Sequence, residues 1–211
     1  MRKFIYTVIW LAILVCVPLS FFTASQKKFP YIVLEIPDRY NPWAELNLKD
    51  ELSPLTRYKL SKFKHDIAAC TAALERAEIH FTPIPDQTVS SCPLSSRINL
   101  EQTQYPYSAP VRPTCAVAAT LIIWEEQIVQ KAARKHLNDT VSRIDHMGIF
   151  SCRNIAGSNR RSQHASANAI DIGGFRLDSG GRVSVLKDWG KDTPKGKFLH
   201  DIRNGSCDIF R

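Results

Sequence analysis

The chain has 211 residues, 44% hydrophobic and 23% charged, with a formal net charge of +8. That is ordinary globular composition, which excludes a disordered or collagen-like chain, and the length suits one to one and a half domains. Six cysteines are too few for a disulfide-dense toxin scaffold and more than a cytosolic chain usually carries.

The basic leader Met1-Arg2-Lys3 precedes an apolar run from Phe4 to Phe22, broken only by Thr7, Pro18 and Ser20. At 1.5 Å per residue such a run is about 28 Å long, enough to cross the hydrocarbon core of a bilayer. Residues 1–25 therefore read as an N-terminal membrane anchor or, with Thr23-Ala24-Ser25 as the cleavage site, as a signal peptide. Either reading puts residues 26–211 outside the cytoplasm. Without Arg2 and Lys3, the charge of +8 falls to +6, and a basic face there would suit an anionic wall or lipid surface. The export signal and the lack of a basic helix interleaved with aromatics argue against nucleic acid as a partner.

Residues 26–60 carry Phe29-Pro30, Ile36-Pro37 and Asn41-Pro42-Trp43. Proline at these spacings blocks a continuous helix, which predicts an extended tether. Residues 61–211 form the expected domain. Phe63, Ile67, Cys70, Leu74 and Ala77 fall on one face of a predicted helix from Lys62 to Glu78. Ile79 to Thr82 is a short apolar segment, and residues 86–113 read as loops. Thr114 has the place of an N-cap for an apolar helix from Cys115 to His136, with Leu121, Trp124, Ile128 and Val129 as core. Three strand signals follow: Val141 to Cys152, Asn168 to Leu177 and Arg182 to Trp189, the last two joined by the turn Asp178-Ser179-Gly180-Gly181. Lys195 to Arg203 reads as a short helix stopped by Asn204-Gly205. Helices first and strands later predict an α+β domain, with helices packed on a small antiparallel sheet.

The sharpest local feature is Ser162-Gln163-His164-Ala165-Ser166-Ala167-Asn168-Ala169-Ile170-Asp171. A histidine before a strand and an aspartate within it can converge on one metal, and zinc accepts both donor types. No G-x-S-x-G elbow, phosphate loop or dinucleotide glycine fingerprint competes with it. For a bare pair of this kind, hydrogen bonding to the local chain is the alternative role.

This stretch resembles the S-x-H-x-x-G-x-A-x-D motif of the zinc D-alanyl-D-alanine peptidases: Ser162, His164, Ala169 and Asp171 match, while Ala167 stands where that motif has Gly. The fuller stretch is similar to the bacterial extensin-like C-terminal domain family, a distant relative of those peptidases. The resemblance runs over roughly residues 60–211. It is carried by Cys70 with Phe81-Thr82-Pro83, Thr114-Cys115-Ala116 with Trp124, Gly148 to Arg153, the motif through Ile172, and Phe198 to Cys207 with Phe210. It implies a D-Ala-D-Ala peptidase-like fold, His164 and Asp171 as zinc ligands, and Arg153 facing a scissile carbonyl. It also implies peptides of peptidoglycan as the ligand, met at the inner membrane facing the periplasm or free in the periplasm. A cation at Arg153 would stabilise charge that develops in the transition state; an inter-strand ion pair is the structural alternative.

The relatives also have a His-x-His stretch with a preceding acid, which supplies the third zinc ligand and the general base. Nothing in this sequence matches it. A catalytic zinc takes three protein ligands and an open position, and His65, His80, His136, His146 and His200 are not in the motif. The expectation is thus weak or absent zinc binding and no peptidase activity by this chain alone. Three readings follow: a peptidase-like enzyme of cell-wall metabolism, a non-catalytic membrane-anchored binding module, or an inactive piece of a longer protein. Cys16 lies in the apolar run, so the exported part holds Cys70, Cys92, Cys115, Cys152 and Cys207. The expected bridges are Cys92–Cys115 and Cys152–Cys207, the second worth about 4 kcal/mol for a loop of about 55 residues. Cys70 is then unpaired, and the resemblance implies a partner for it beyond Arg211.

Overall fold

The computed structural model describes residues 36–103 and 105–210. The proposed anchor or signal, and the tether up to residue 35, lie outside the described residues. Among the described residues no helix is long and apolar enough to cross a membrane.

The tether expectation fails for residues 37–60, which belong to one compact unit with the rest of the domain. The prolines do block a long helix, but Leu46 and Leu48 are buried in the core, and Lys59 Nζ donates to the carbonyls of Asp38 and Glu45. Apolar side chains at Leu46, Leu48 and Leu60 thus dock an irregular segment that proline spacing alone reads as free.

The expected first helix is two: α1 (Thr56–Lys62) and α2 (Ile67–Arg76). Asp66 breaks the run because its Oδ1 accepts from Ala69 N at 2.9 Å, capping α2. The region expected as loops holds short antiparallel pairs. Strand β1 (His80–Ile84) pairs with β4 (Arg97–Gln102), and between them β2 (Gln87–Val89) pairs with β3 (Cys92–Leu94). Thr114 caps α3 (Cys115–Trp124) as expected, its Oγ1 accepting from Val117 N. Nine of the ten residues of α3 are buried, so this helix reads as apolar all round rather than as one stripe. It runs through a π-helical turn (Glu125–Gln130) into α4 (Lys131–Leu137), which ends on Asn138 with φ 49°.

Strand β5 (Val141–Gly148) pairs antiparallel with β6 (Asp171–Leu177), and β6 with β7 (Arg182–Ser184), giving the sheet order β5-β6-β7. The third predicted strand is therefore short: after Ser184 the chain turns into α5 (Val185–Asp188). The last helix, α6 (Pro194–Ile209), runs past the expected stop at Asn204-Gly205. Gly205 serves packing there, because a Cβ at that position would come within 2.8 Å of Ile128 on the π-helical turn. Phe175 of β6 meets Phe198 of α6 edge-on, with ring centroids 5.1 Å apart, and Trp124 of α3 lies 6.1 Å from Phe175. The α+β class is as read from the sequence: helices pack on small antiparallel sheets.

The cysteine pairing differs from expectation. The disulfides are Cys70–Cys115 and Cys92–Cys152, and Cys207 is free and half-buried. Helix α2 packs on α3, which sets Cys70 on its buried face against Cys115 in the first turn of α3, with a Cα separation of 6.2 Å. Cys92 opens β3, which faces the loop that carries Cys152. Cys207 sits on the wall of an apolar cavity, away from that loop.

Candidate functional site

The site is built where β5 ends and β6 begins. Gly148, the last residue of β5, pairs with Asp171, the first of β6. The intervening chain folds back as a hairpin. Its rungs are the backbone hydrogen bonds Ser151 N to His164 O, Ser162 N to Arg153 O and Ile155 N to Arg160 O, at 3.0, 3.1 and 2.9 Å. The bridge Asn154–Arg161 lies between the last two.

Ser162 caps a single 3-10 turn, Gln163–Ser166, by accepting from His164 N. The turn exits through Ala167 in the left-handed region, with φ 55°. Gly adopts that conformation freely. For alanine the conformation costs about 1 kcal/mol, and it is held by Thr114 N donating to Ala167 O at 3.0 Å and by Asn168 Nδ2 on Gln163 Oε1 at 2.7 Å. Ala169 lines an apolar cavity with Ile170, Ile172 and Trp124.

The turn and the strand start bring His164 and Asp171 together. His164 Nε2 lies 3.4 Å from Asp171 Oδ1, with the imidazole largely buried and the carboxylate exposed. The other ring nitrogen, Nδ1, is 2.9 Å from Ile149 O. A carbonyl only accepts, so Nδ1 carries a proton, and Nε2 is the ring nitrogen turned toward the carboxylate. With a proton on Nε2 the two groups form an ion pair; without it, both atoms aim lone pairs at one point, where a cation can sit between them. For a tetrahedral zinc with bonds of 2.0–2.1 Å, two ligand atoms stand about 3.3–3.4 Å apart. The observed separation is that edge, and the Ile149 carbonyl is the kind of outer partner that orients a metal-ligating histidine. His164 and Asp171 therefore fit half of a tetrahedral zinc set.

No other histidine joins them. His136 bonds Asp201 Oδ2 at 2.7 Å, His146 bonds Ala109 O, and His200 stacks on Trp189 at 4.4 Å. His65 and His80 are exposed. Among the described residues no group of three His, Cys, Asp or Glu side chains is arranged to hold a metal.

Arg153 sits two residues along the hairpin from the His164 rung. It is exposed, and its Nη1 reaches the Asn154 carbonyl at 3.4 Å. No ion pair forms at Arg153 among the described residues. The disulfide Cys92–Cys152 fixes this loop to β3. Cys115, Cys70 and Cys207 lie elsewhere and take no part in the site.

An apolar cavity of about 610 Å³, lined by Trp124, Ile170, Ile172, Phe175 and Trp189 among others, opens beside the same strand start. Strand alternation sets Ile170 and Ile172 on the face opposite Asp171, so this cavity is not the metal-type face. Sequence reasoning missed a further buried group, Glu125, whose Oε1 accepts from Tyr107 Oη at 2.7 Å. A carboxylate directly after the apolar run Leu121 to Trp124 was the signal available for it.

The sequence model of the family described as "Extensin-like protein C-terminus" matches residues 68–211. No curated protein and no solved structure matches the chain.

Proposed function

The chain belongs to the family of the extensin-like protein C-terminus, and from that membership and the site geometry we propose a cell-envelope protein that binds peptides of peptidoglycan at a zinc-bearing face made by His164 and Asp171. The observation that carries this reading is the 3.4 Å separation of His164 Nε2 and Asp171 Oδ1, with Nδ1 committed to Ile149 O. The two disulfides support residence in an oxidising compartment such as the periplasm.

Zinc held there would supply an electrophilic centre for an anionic group such as a peptide C-terminal carboxylate. His164 and Asp171 would hold it from the domain side. Arg153, exposed and without an acid partner among the described residues, offers a second cation to the same ligand. Two protein ligands make a weaker site than the three of a catalytic zinc, and no described residue stands as the general base. Binding is therefore the reading favoured over hydrolysis by this chain alone.

Zinc titration of the metal-stripped full chain tests the proposal. Saturable binding of one zinc is expected, lost in His164→Ala and in Asp171→Asn while both variants keep the wild-type circular dichroism. Equal binding by wild type and His164→Ala would overturn it. Incubation with purified peptidoglycan should give co-sedimentation without released D-alanine; release that depends on His164 would replace the binding reading with an enzymatic one.

A further inference from the structure

The hairpin beside the site carries an unused charge pattern. From His146 through Ile170 the sequence contains no aspartate or glutamate, yet it contains Arg153, Arg160 and Arg161. All three are exposed, and among the described residues none forms an ion pair.

Strand alternation sorts them. Cys152 and Arg161 have the same parity across the ladder, and both point at the β2–β3 hairpin: Cys152 is bonded to Cys92, and Arg161 Nη2 donates to Ser91 Oγ at 3.1 Å. Arg153 and Arg160 have the opposite parity, on the rungs paired with Ser162 and Ile155. They emerge on the other face of a hairpin that the disulfide and Arg161 hold in place. Along this face the rungs run from His164 to Arg153 to Arg160. Fully extended steps of about 3.3 Å per residue would put Arg153 about 7 Å and Arg160 about 13 Å along the ladder from the His164 rung; Arg153 N bonds Ser151 O at 2.9 Å, and this tight turn makes both distances upper limits.

We infer that Arg160 is a second anchoring point, which reads a side-chain carboxylate of an acidic peptide whose C-terminal end lies at His164 and Asp171. The inference rests on the peptide-binding reading above and narrows its ligand to peptides with an internal acid. An extended peptide rises by about the same 3.3 Å per residue, so about 13 Å spans four residues. The reach of the arginine side chain extends this to acids two to four residues before the C-terminus. The hairpin backbone that carries Arg160 is tied to β3 by the disulfide and to Ser91 by Arg161, so binding has only the side chain left to order, which favours it over a charge on a loose loop.

The test uses two labelled peptides, acetyl-Ala-Glu-Ala-D-Ala-D-Ala and its glutamine counterpart, titrated by fluorescence anisotropy into the zinc-supplied full chain. The wild type should bind the glutamate peptide about three- to tenfold more tightly, the range of an exposed to well-placed charge-assisted pair. That preference should shrink at about 0.5 M salt. Arg160→Gln should erase it while zinc binding and affinity for the glutamine peptide stay at wild-type values, and Arg160→Lys should keep part of it. Equal affinity of the wild type for both peptides, or a preference that survives in Arg160→Gln, would overturn the inference and leave the binding reading standing. Failure of the wild type to bind either peptide would overturn both.

Discussion

Replacing Glu125 by glutamine tests the electrostatics of the core. Glu125 opens the π-helical turn and is 1% exposed. Its Oε1 accepts from Tyr107 Oη, and its Oε2 is buried with no hydrogen-bond partner. Burial pushes the carboxyl up to about 8 from its ordinary 4.5; the Tyr107 hydrogen bond opposes this and the neighbouring Glu126 charge adds to it. Between pH 4.5 and about 8 the unfolded chain has released a proton that the folded chain keeps. Stability is therefore full below the lower limit and is lost as pH rises through the window, at about 1.4 kcal/mol per pH unit. Over roughly 3.5 units the ceiling is about 5 kcal/mol. Glutamine does not titrate and can keep the Tyr107 bond through its carbonyl, so its advantage over the wild type should grow by about 2–4 kcal/mol from pH 5 to pH 8.5. Tyr105 and Tyr107 also feel the Glu125 charge. Tyr107 is held well above its usual range by burial and by the Glu125 charge, so it stays protonated. His146 packs edge-on against Tyr107 at 5.9 Å, with its Nδ1 buried and unpartnered. The assay is urea unfolding followed by circular dichroism at the two pH values, with disulfides intact. Parallel profiles for wild type and Glu125→Gln would refute the reasoning.

Two further outcomes follow from the packing. The double variant Cys92→Ala/Cys152→Ala opens a loop of 60 residues and should lose about 4 kcal/mol; calorimetry without reductant checks the loss, and zinc titration should weaken with it because the His164 hairpin is freed from β3. Gly205→Ala should destabilise by up to about 2 kcal/mol: overpacking of about 1–3 kcal/mol against Ile128, whose Cγ2 would stand 2.8 Å from the new Cβ, is offset by a helix-propensity gain of about 1 kcal/mol. Ile128→Val in the same background should restore part of that loss in urea unfolding.

What the sequence made legible was local. The cap at Thr114 and the buried helix after it depend on a few adjacent residues, and both stand as read. The pair His164 and Asp171 was legible for the same reason: one capped turn and one strand start, within a motif of ten residues, set their separation. What needed the third dimension was not legible. Strands β2, β3 and β4 are too short to show a period, and only their mutual pairing defines them. The prolines of residues 37–60 excluded a long helix but said nothing of the pocketing of Leu46 and Leu48.

The cysteines and Gly205 mark the same limit. Parity could show that one of the five cysteines from Cys70 to Cys207 stays free, yet not which one, because connectivity is set by how elements pack. Cys70 lies on the face of α2 that meets α3, so it finds Cys115. Cys152 lies on the hairpin face that meets β3, so it finds Cys92. Gly205 reads locally as a helix stop, and the contact that makes it a helix-interior residue is with Ile128, far away in sequence. The free Cys207 two residues later is carried on that same extended helix to the wall of the apolar cavity. A missed helix end and a misassigned bridge thus have one cause: α6 continues because its glycine fits the π-helical turn, and its continuation takes Cys207 away from the loop that holds Cys152.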